Sequence, residues 1–329
     1  MKNKLQVIDF NVVSAYMGRF LTAIVAVAVI GITASALLSR NRSAERGVLT
    51  VAVPPAGSMD DVHPGRAARA TRASRGFHDS LRLLLARESN RPVDVRESEP
   101  TGDAGAGCGL FLMAVEEYLA EREEKGLVAL YAVDRSAHGR DRAVVIARPA
   151  NAPLSDFSGI GTEQCVFSGP RSLNGCWVQL ELLEAEGFRA AEGYRSLHFP
   201  EAGGAARVVF SVLFEGYTLG ACRRSDIDDL TADGSIAEDE VAVIRSGPAV
   251  PELVFACRGS DAVYFGHVLE GFALRLANPG DDPEEQVAAA LLARGGMRSV
   301  RPITGEEITR AAALLGRMTG ENREGVSRP

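Results

Sequence analysis

From Val48 to Met318, short apolar runs alternate with stretches whose apolar residues recur every three or four positions, and glycine or proline punctuates the changes. Strands that alternate with helices along a whole chain define an α/β fold. Val48–Val53 reads as a strand stopped by Pro54 and Pro55. Phe77, Leu81, Leu84 and Leu85 mark a helix face, and Pro92–Val95 a short strand. The apolar run Gly109–Met113 leads into a helix through Tyr118 to about Lys125, with strands at 127–133 and 143–148. After Pro149–Pro153, Glu163–Ser168 reads as a strand, followed by a helix that stops at Gly187. Ala205–Glu215 is a further helix ended by Gly216, with short strands at 218–222 and 240–245. Leu253–Cys257 is the last strand of this reading, and a helix follows from about Asp261 to Leu276. Asp282-Pro283 supplies an N-cap with a first-turn proline. Thr304-Gly-Glu-Glu307 is a capping box. At 46 % hydrophobic and 24 % charged over 329 residues, the chain has the core supply of a globular protein and not the composition of a disordered one.

Phe20–Leu38 holds 19 residues without a charge, and about 20 helical residues cross a bilayer core. Basic residues flank both ends, and Ala34-Ser35-Ala36 matches a signal-cleavage pattern. Residues 1–46 therefore read as an uncleaved membrane anchor or a cleaved signal, with the start of a polar linker. Either reading places the body outside the cytoplasm, on the periplasmic face of the inner membrane or free in the periplasm. That segment carries six basic and two acidic residues, so a net charge of −7 leaves the rest of the chain at −11. An acidic body lacks the basic footprint that nucleic-acid binding needs. Arg66, Arg69, Arg72 and Arg75 recur every three residues, as a solvated helix face or as a stripe facing an anion or lipid.

The five cysteines, Cys108, Cys165, Cys176, Cys222 and Cys257, include no C-x-x-C pair and sit mostly among apolar neighbours, as small core residues do. A disulfide stays open in an oxidising compartment. The five histidines are scattered and match no metal or nucleophile-elbow spacing. The glycine-rich stretch 100–107 meets neither phosphate-loop nor dinucleotide spacing. These observations point away from an enzyme and from any cofactor or metal.

Three segments carry a resemblance: Phe167-Ser-Gly-Pro-Arg-Ser-Leu-Asn-Gly175 before a helix, the glycine–helix–glycine–strand unit Gly204–Cys222, and Ser246-Gly-Pro-Ala-Val-Pro251. In order and spacing the chain resembles the phosphate/phosphite/phosphonate-binding proteins of ABC importers. The resemblance implies a two-lobed, type II periplasmic binding fold with a two-strand hinge. Lobe one would comprise residues 48–148 plus 252–318 and lobe two 149–247, with 319–329 a frayed tail. It implies a small oxyanion or organophosphorus ligand between the lobes, and ABC permease subunits as partners. The ligand would meet the turn Ser172, Asn174 and Gly175, where free N–H groups and the helix dipole favour an anion. Arg171, Arg223, Tyr118 and Pro55 complete the candidate set. Simple N-capping by Ser172 or Asn174, surface placement of Arg171 and Arg223, and a core role for Tyr118 are the alternatives. This sequence departs from the family at Leu173, Ala205-Ala206 and Leu219, where a hydroxyl, a histidine and an acid are usual. The last departure argues against an aminophosphonate. A membrane-anchored sensor or interaction module with an altered pocket is the competing reading.

Overall fold

The computed structural model describes residues 48–54, 67–97, 109–136, 141–152, 157–170, 172–189, 197–200 and 204–324, without the side chains of 67–74, 204–205 and 319–324. The apolar run Phe20–Leu38 lies outside these residues. Among the described residues no helix is long and apolar enough to cross a membrane.

The chain begins with β1 (Leu49–Val53), α1 (Ala67–Ser89), β2 (Val93–Glu97), β3 (Leu110–Ala114), α2 (Val115–Lys125) and β4 (Leu127–Asp134). β5 (Ala143–Ala147), β6 (Cys165–Phe167), α3 (Val178–Ala185), α4 (Gly204–Phe214), β7 (Leu219–Arg223), α5 (Arg224–Ala232) and β8 (Ala242–Ser246) follow. It closes with β9 (Leu253–Arg258), α6 (Ala262–Ala277), α7 (Pro283–Arg294), β10 (Ser299–Pro302) and α8 (Gly305–Glu324). Two sheets result, a six-stranded one ordered β10-β4-β9-β3-β1-β2 and a four-stranded one ordered β6-β7-β5-β8. β1 runs parallel to β2 and β3, whereas β9 is antiparallel between β3 and β4. In the second sheet β6 and β7 are parallel, and β5 is antiparallel to β7 and β8.

The chain changes sheet between Asp134 and Ala143, ahead of the boundary the sequence places after Arg148. All five residues of β5 are buried, as a central strand demands. An apolar run states that a strand is buried and not which strands flank it. The return crossing falls between Ser246 and Leu253, on the Gly/Pro stretch. The final helix extends to Glu324, six residues into the segment read as a frayed tail. Gly320 does not stop it, because one interior glycine costs only about 1 kcal/mol.

One apolar cluster lies between the first sheet and α1, α6 and α7, and another between the second sheet and α4 and α5. A third joins both sheets, combining Phe111, Met113 and Val115 with Val145, Phe167 and Trp177. α8 adds Ala311 and Leu314 to this shared core. Its start is fixed by Arg301, which donates through Nε to Asp134 at 2.7 Å and through Nη1 to Glu307 at 3.0 Å. Thr304 and Glu307 form the expected capping box.

Of the four periodic arginines, Arg75 is exposed, and the side chains of the other three lie outside the described set. Cys165, Cys176, Cys222 and Cys257 are buried free thiols, and Cys108 lies outside the described residues. Burial pushes the Cys165 and Cys257 thiols up to about 12. In the native protein these four thiols should resist a thiol reagent at neutral pH, and all should titrate after denaturation. At Gly220 the α4 side chains Val208 and Val212 press directly on the β7 backbone. A Cβ there would stand 2.7 Å from Val212 Cγ2 and 2.9 Å from Ile146 Cγ1 and Val208 Cγ1. Gly220→Ala should therefore cost about 1–3 kcal/mol in urea unfolding through overpacking.

Candidate functional site

Ser168 to Gly175 turns the chain from β6 into a helix. The helix opens with a π turn, Leu173–Trp177, and continues as α3. Ser172 is its N-cap, and its Oγ accepts from Gly175 N at 2.9 Å. Gly175 is required sterically, since a Cβ would lie 2.7 Å from both Ser168 Cβ and Ser172 Oγ. Gln179, fully buried, donates through Nε2 to the carbonyls of Asn174 and Cys222 and ties this turn to β7.

The donors at the turn already hold a carboxylate. Glu252 Oε1 accepts from Ser172 Oγ at 3.1 Å and from Asn174 N at 3.2 Å. Its Oε2 accepts from Arg223 Nη2. The Asn174 side chain does something else. Its Nδ2 donates to Val250 O at 2.5 Å and its Oδ1 accepts from Val250 N at 3.2 Å, mimicking a strand partner for the crossing segment. Glu252 itself caps the first sheet's side of the junction, its carbonyl accepting from Val115 N at 2.9 Å.

The surrounding charges form one network. Arg223 N donates to Asp226 Oδ2 at 2.8 Å, while Asp141 accepts from Ser225 N at 3.1 Å and Ser225 Oγ at 2.7 Å. Burial alone would raise the Glu252 carboxyl, but the charges of Arg223 and Arg135 and the bonds from Asn174 and Ser172 outweigh it and hold it below the usual range. Burial opposes the Arg223 cation, yet Glu252, Asp226 and Asp141 keep it above the ordinary arginine value. Asp226 is the strained member. Its burial outweighs Arg223 and lifts it to about 6. Burial raises Asp141 as well, against the two bonds from Ser225. Among the described residues, two guanidiniums thus act on three carboxylates.

The structure brings Ser172, Asn174, Gly175 and Arg223 of the expected set together. Arg223 points inward with its side chain 16 % exposed, whereas Arg224 pairs with Asp228 at the surface. Tyr118 is buried in the apolar core that joins the two sheets. Arg171 and Pro55 lie outside the described residues. Glu252, Asp226, Asp141 and Arg135 escape sequence reasoning. Only Asp226 carried a local signal, as the third residue of a helix it caps.

Residues 110–295, more than half of the chain, match the family model described as ABC transporter, phosphonate, periplasmic substrate-binding protein. The chain belongs to this family, whose members are solute-binding proteins rather than enzymes. Its fold is the mixed α/β, two-sheet type of type II periplasmic binding proteins. One similar structure is a binding protein component of an ABC phosphonate transporter from Pseudomonas aeruginosa, at 8 % identity and TM-score 0.50, covering 86 % of this chain and 90 % of that one. Another is PhnD1 from Prochlorococcus marinus in complex with methylphosphonate, at 12 % identity and TM-score 0.52, covering 84 % and 100 %. A third is a Xanthomonas citri protein bound to ATP, at 14 % identity and TM-score 0.53, covering 84 % and 99 %. At these identities the likeness is one of fold. No curated protein sequence matches the chain.

The raised Asp226 gives a signed prediction. An acid whose folded value lies above its ordinary 3.8 loses stabilising effect as pH rises from about 4 through about 6. Asp226→Asn removes that titration and keeps an acceptor for Arg223 N. Its stability relative to wild type should rise by up to ~3 kcal/mol between pH 4 and pH 7, read from urea unfolding at each pH.

Proposed function

We propose that this protein is the extracytoplasmic solute-binding component of an ABC importer, taking a small phosphonate- or phosphate-like oxyanion between two lobes, one built on each sheet. The periplasmic location follows from the family. Export or tethering would fall to Phe20–Leu38, and delivery to permease subunits of the transporter. The observation that supports the ligand class is the convergence of Ser172 Oγ, Asn174 N–H and the Arg223 guanidinium on one point. Such donors, at a helix N-terminus and with a planar cation opposite, suit an oxyanion. Arg171 and Pro55 belong to the same proposal on the family resemblance alone, whereas Tyr118 packs in the apolar core.

A second reading has a specific observation in its favour. The point of convergence holds the chain's own Glu252, as expected of a sensor or interaction module with an altered pocket.

Thermal unfolding of the full-length protein against phosphate, phosphite, methylphosphonate, sulfate and simple carboxylates separates the two. A specific ligand at a hundred times its Kd adds about 2.7 kcal/mol to the native state and raises Tm. The importer reading expects a rise with a phosphorus oxyanion that Ser172→Ala abolishes. No rise with any member of the panel would leave the altered-pocket reading in its place.

A further inference from the structure

We propose that Glu252 is an intramolecular occupant of the oxyanion seat, and that it sets ligand selectivity by competing with phosphorus oxyanions for Ser172, Asn174 N–H and Arg223. This rests on the reading of those donors as the ligand seat.

Three independent features support it. The first is saturation: both carboxylate oxygens are bonded, one to the helix-start donors and one to the guanidinium. An incoming oxyanion finds these donors taken. The second is placement. Glu252 follows Val250, which the Asn174 side chain grips through both backbone groups, and precedes β9, whose first sheet it enters at once. Its carboxylate is delivered from a fixed backbone, so its position is built in and not a surface side chain's chance contact. The third is charge. Among the described residues Arg223 acts on the three carboxylates Glu252, Asp226 and Asp141, and its guanidinium bonds to Glu252, so a further anion at this guanidinium must displace that carboxylate. If Glu252 is withdrawn, Arg223 loses its close partner, and its Nε is already buried without a hydrogen bond. The vacated seat then offers one whole guanidinium, a hydroxyl and a helix-start N–H to a phosphonate.

The alternative is a purely structural ion pair that welds the crossing segment to the helix start. Such a pair predicts loss of stability without gain of binding.

Calorimetric titration of inorganic phosphate and methylphosphonate into the full-length wild type, Glu252→Gln and Glu252→Ala decides. At least one variant should bind at least tenfold more tightly than wild type, and phosphate should raise the Tm of that variant more than it raises the wild type's. Equal affinity in all three would overturn the proposal and leave the oxyanion reading intact. Binding by none, with cooperative unfolding retained, would overturn both. If the alanine variant fails to fold, the glutamine variant carries the titration. Recovery of alanine-variant folding by phosphate but not by chloride supports the proposal, and recovery by neither counts against it.

Discussion

The ion pair between Arg223 and Glu252 couples the end of β7, in the second sheet, to the residue that leads into β9 of the first. Both side chains are largely buried, 16 % and 25 % exposed, so each would be costly without the other. Taking two ions out of water costs several kcal/mol apiece, and mutual attraction offsets this only where the remaining hydrogen-bonding capacity is met. Here Ser172 and the Asn174 N–H meet it for the carboxylate. The same turn grips Val250 through the Asn174 amide, and Gln179 holds the turn to β7. The pair, the turn and the crossing segment are therefore mutually dependent.

Apolar packing reinforces this junction. The core that contains Tyr118, Trp177 and Phe167 runs from one sheet to the other without a break in residue type, and α8 inserts Ala311 and Leu314 into it. Arg310 of α8 pairs with Glu181 of α3 at 2.6 Å, an exposed contact of small energetic weight beside the buried apolar one. This junction gives the polar turn a well-packed frame, and the donors of the turn are bonded to a carboxylate of the chain itself, Glu252.

Much of the fold was legible because its signals are local. Ser172, Asp282 and Thr304 cap helices at the positions where the sequence placed them. Gly187 and Gly216 take positive φ, 98° and 88°, where helices end. Helix α5 leaves little apolar signal in the sequence, because Arg224–Ala232 is mostly polar and only Ser225, Ile227 and Leu230 are buried. The sheet that β5 joins is not legible for a different reason, since a run of buried aliphatics carries no record of its neighbours. Helix α8 continues past Gly320 to Glu324, since a single interior glycine is too weak a signal to end a helix.

The sequence by itself determined the α/β alternation, several helix ends, the Gly/Pro-rich crossing at 246–251 and the helix-start turn at Ser172–Gly175. Each of these follows from residues within a few positions of one another. Only the tertiary structure decided that β5 belongs to the second sheet, that Asn174 serves the crossing segment, and that Glu252 fills the donors of the turn. Ser172 and Glu252 are 80 residues apart, Arg223 and Glu252 are 29 apart, and nothing local to any of them marks the other. Electrostatic pairing acts through space, and the chain order does not show which charges folding will bring within reach.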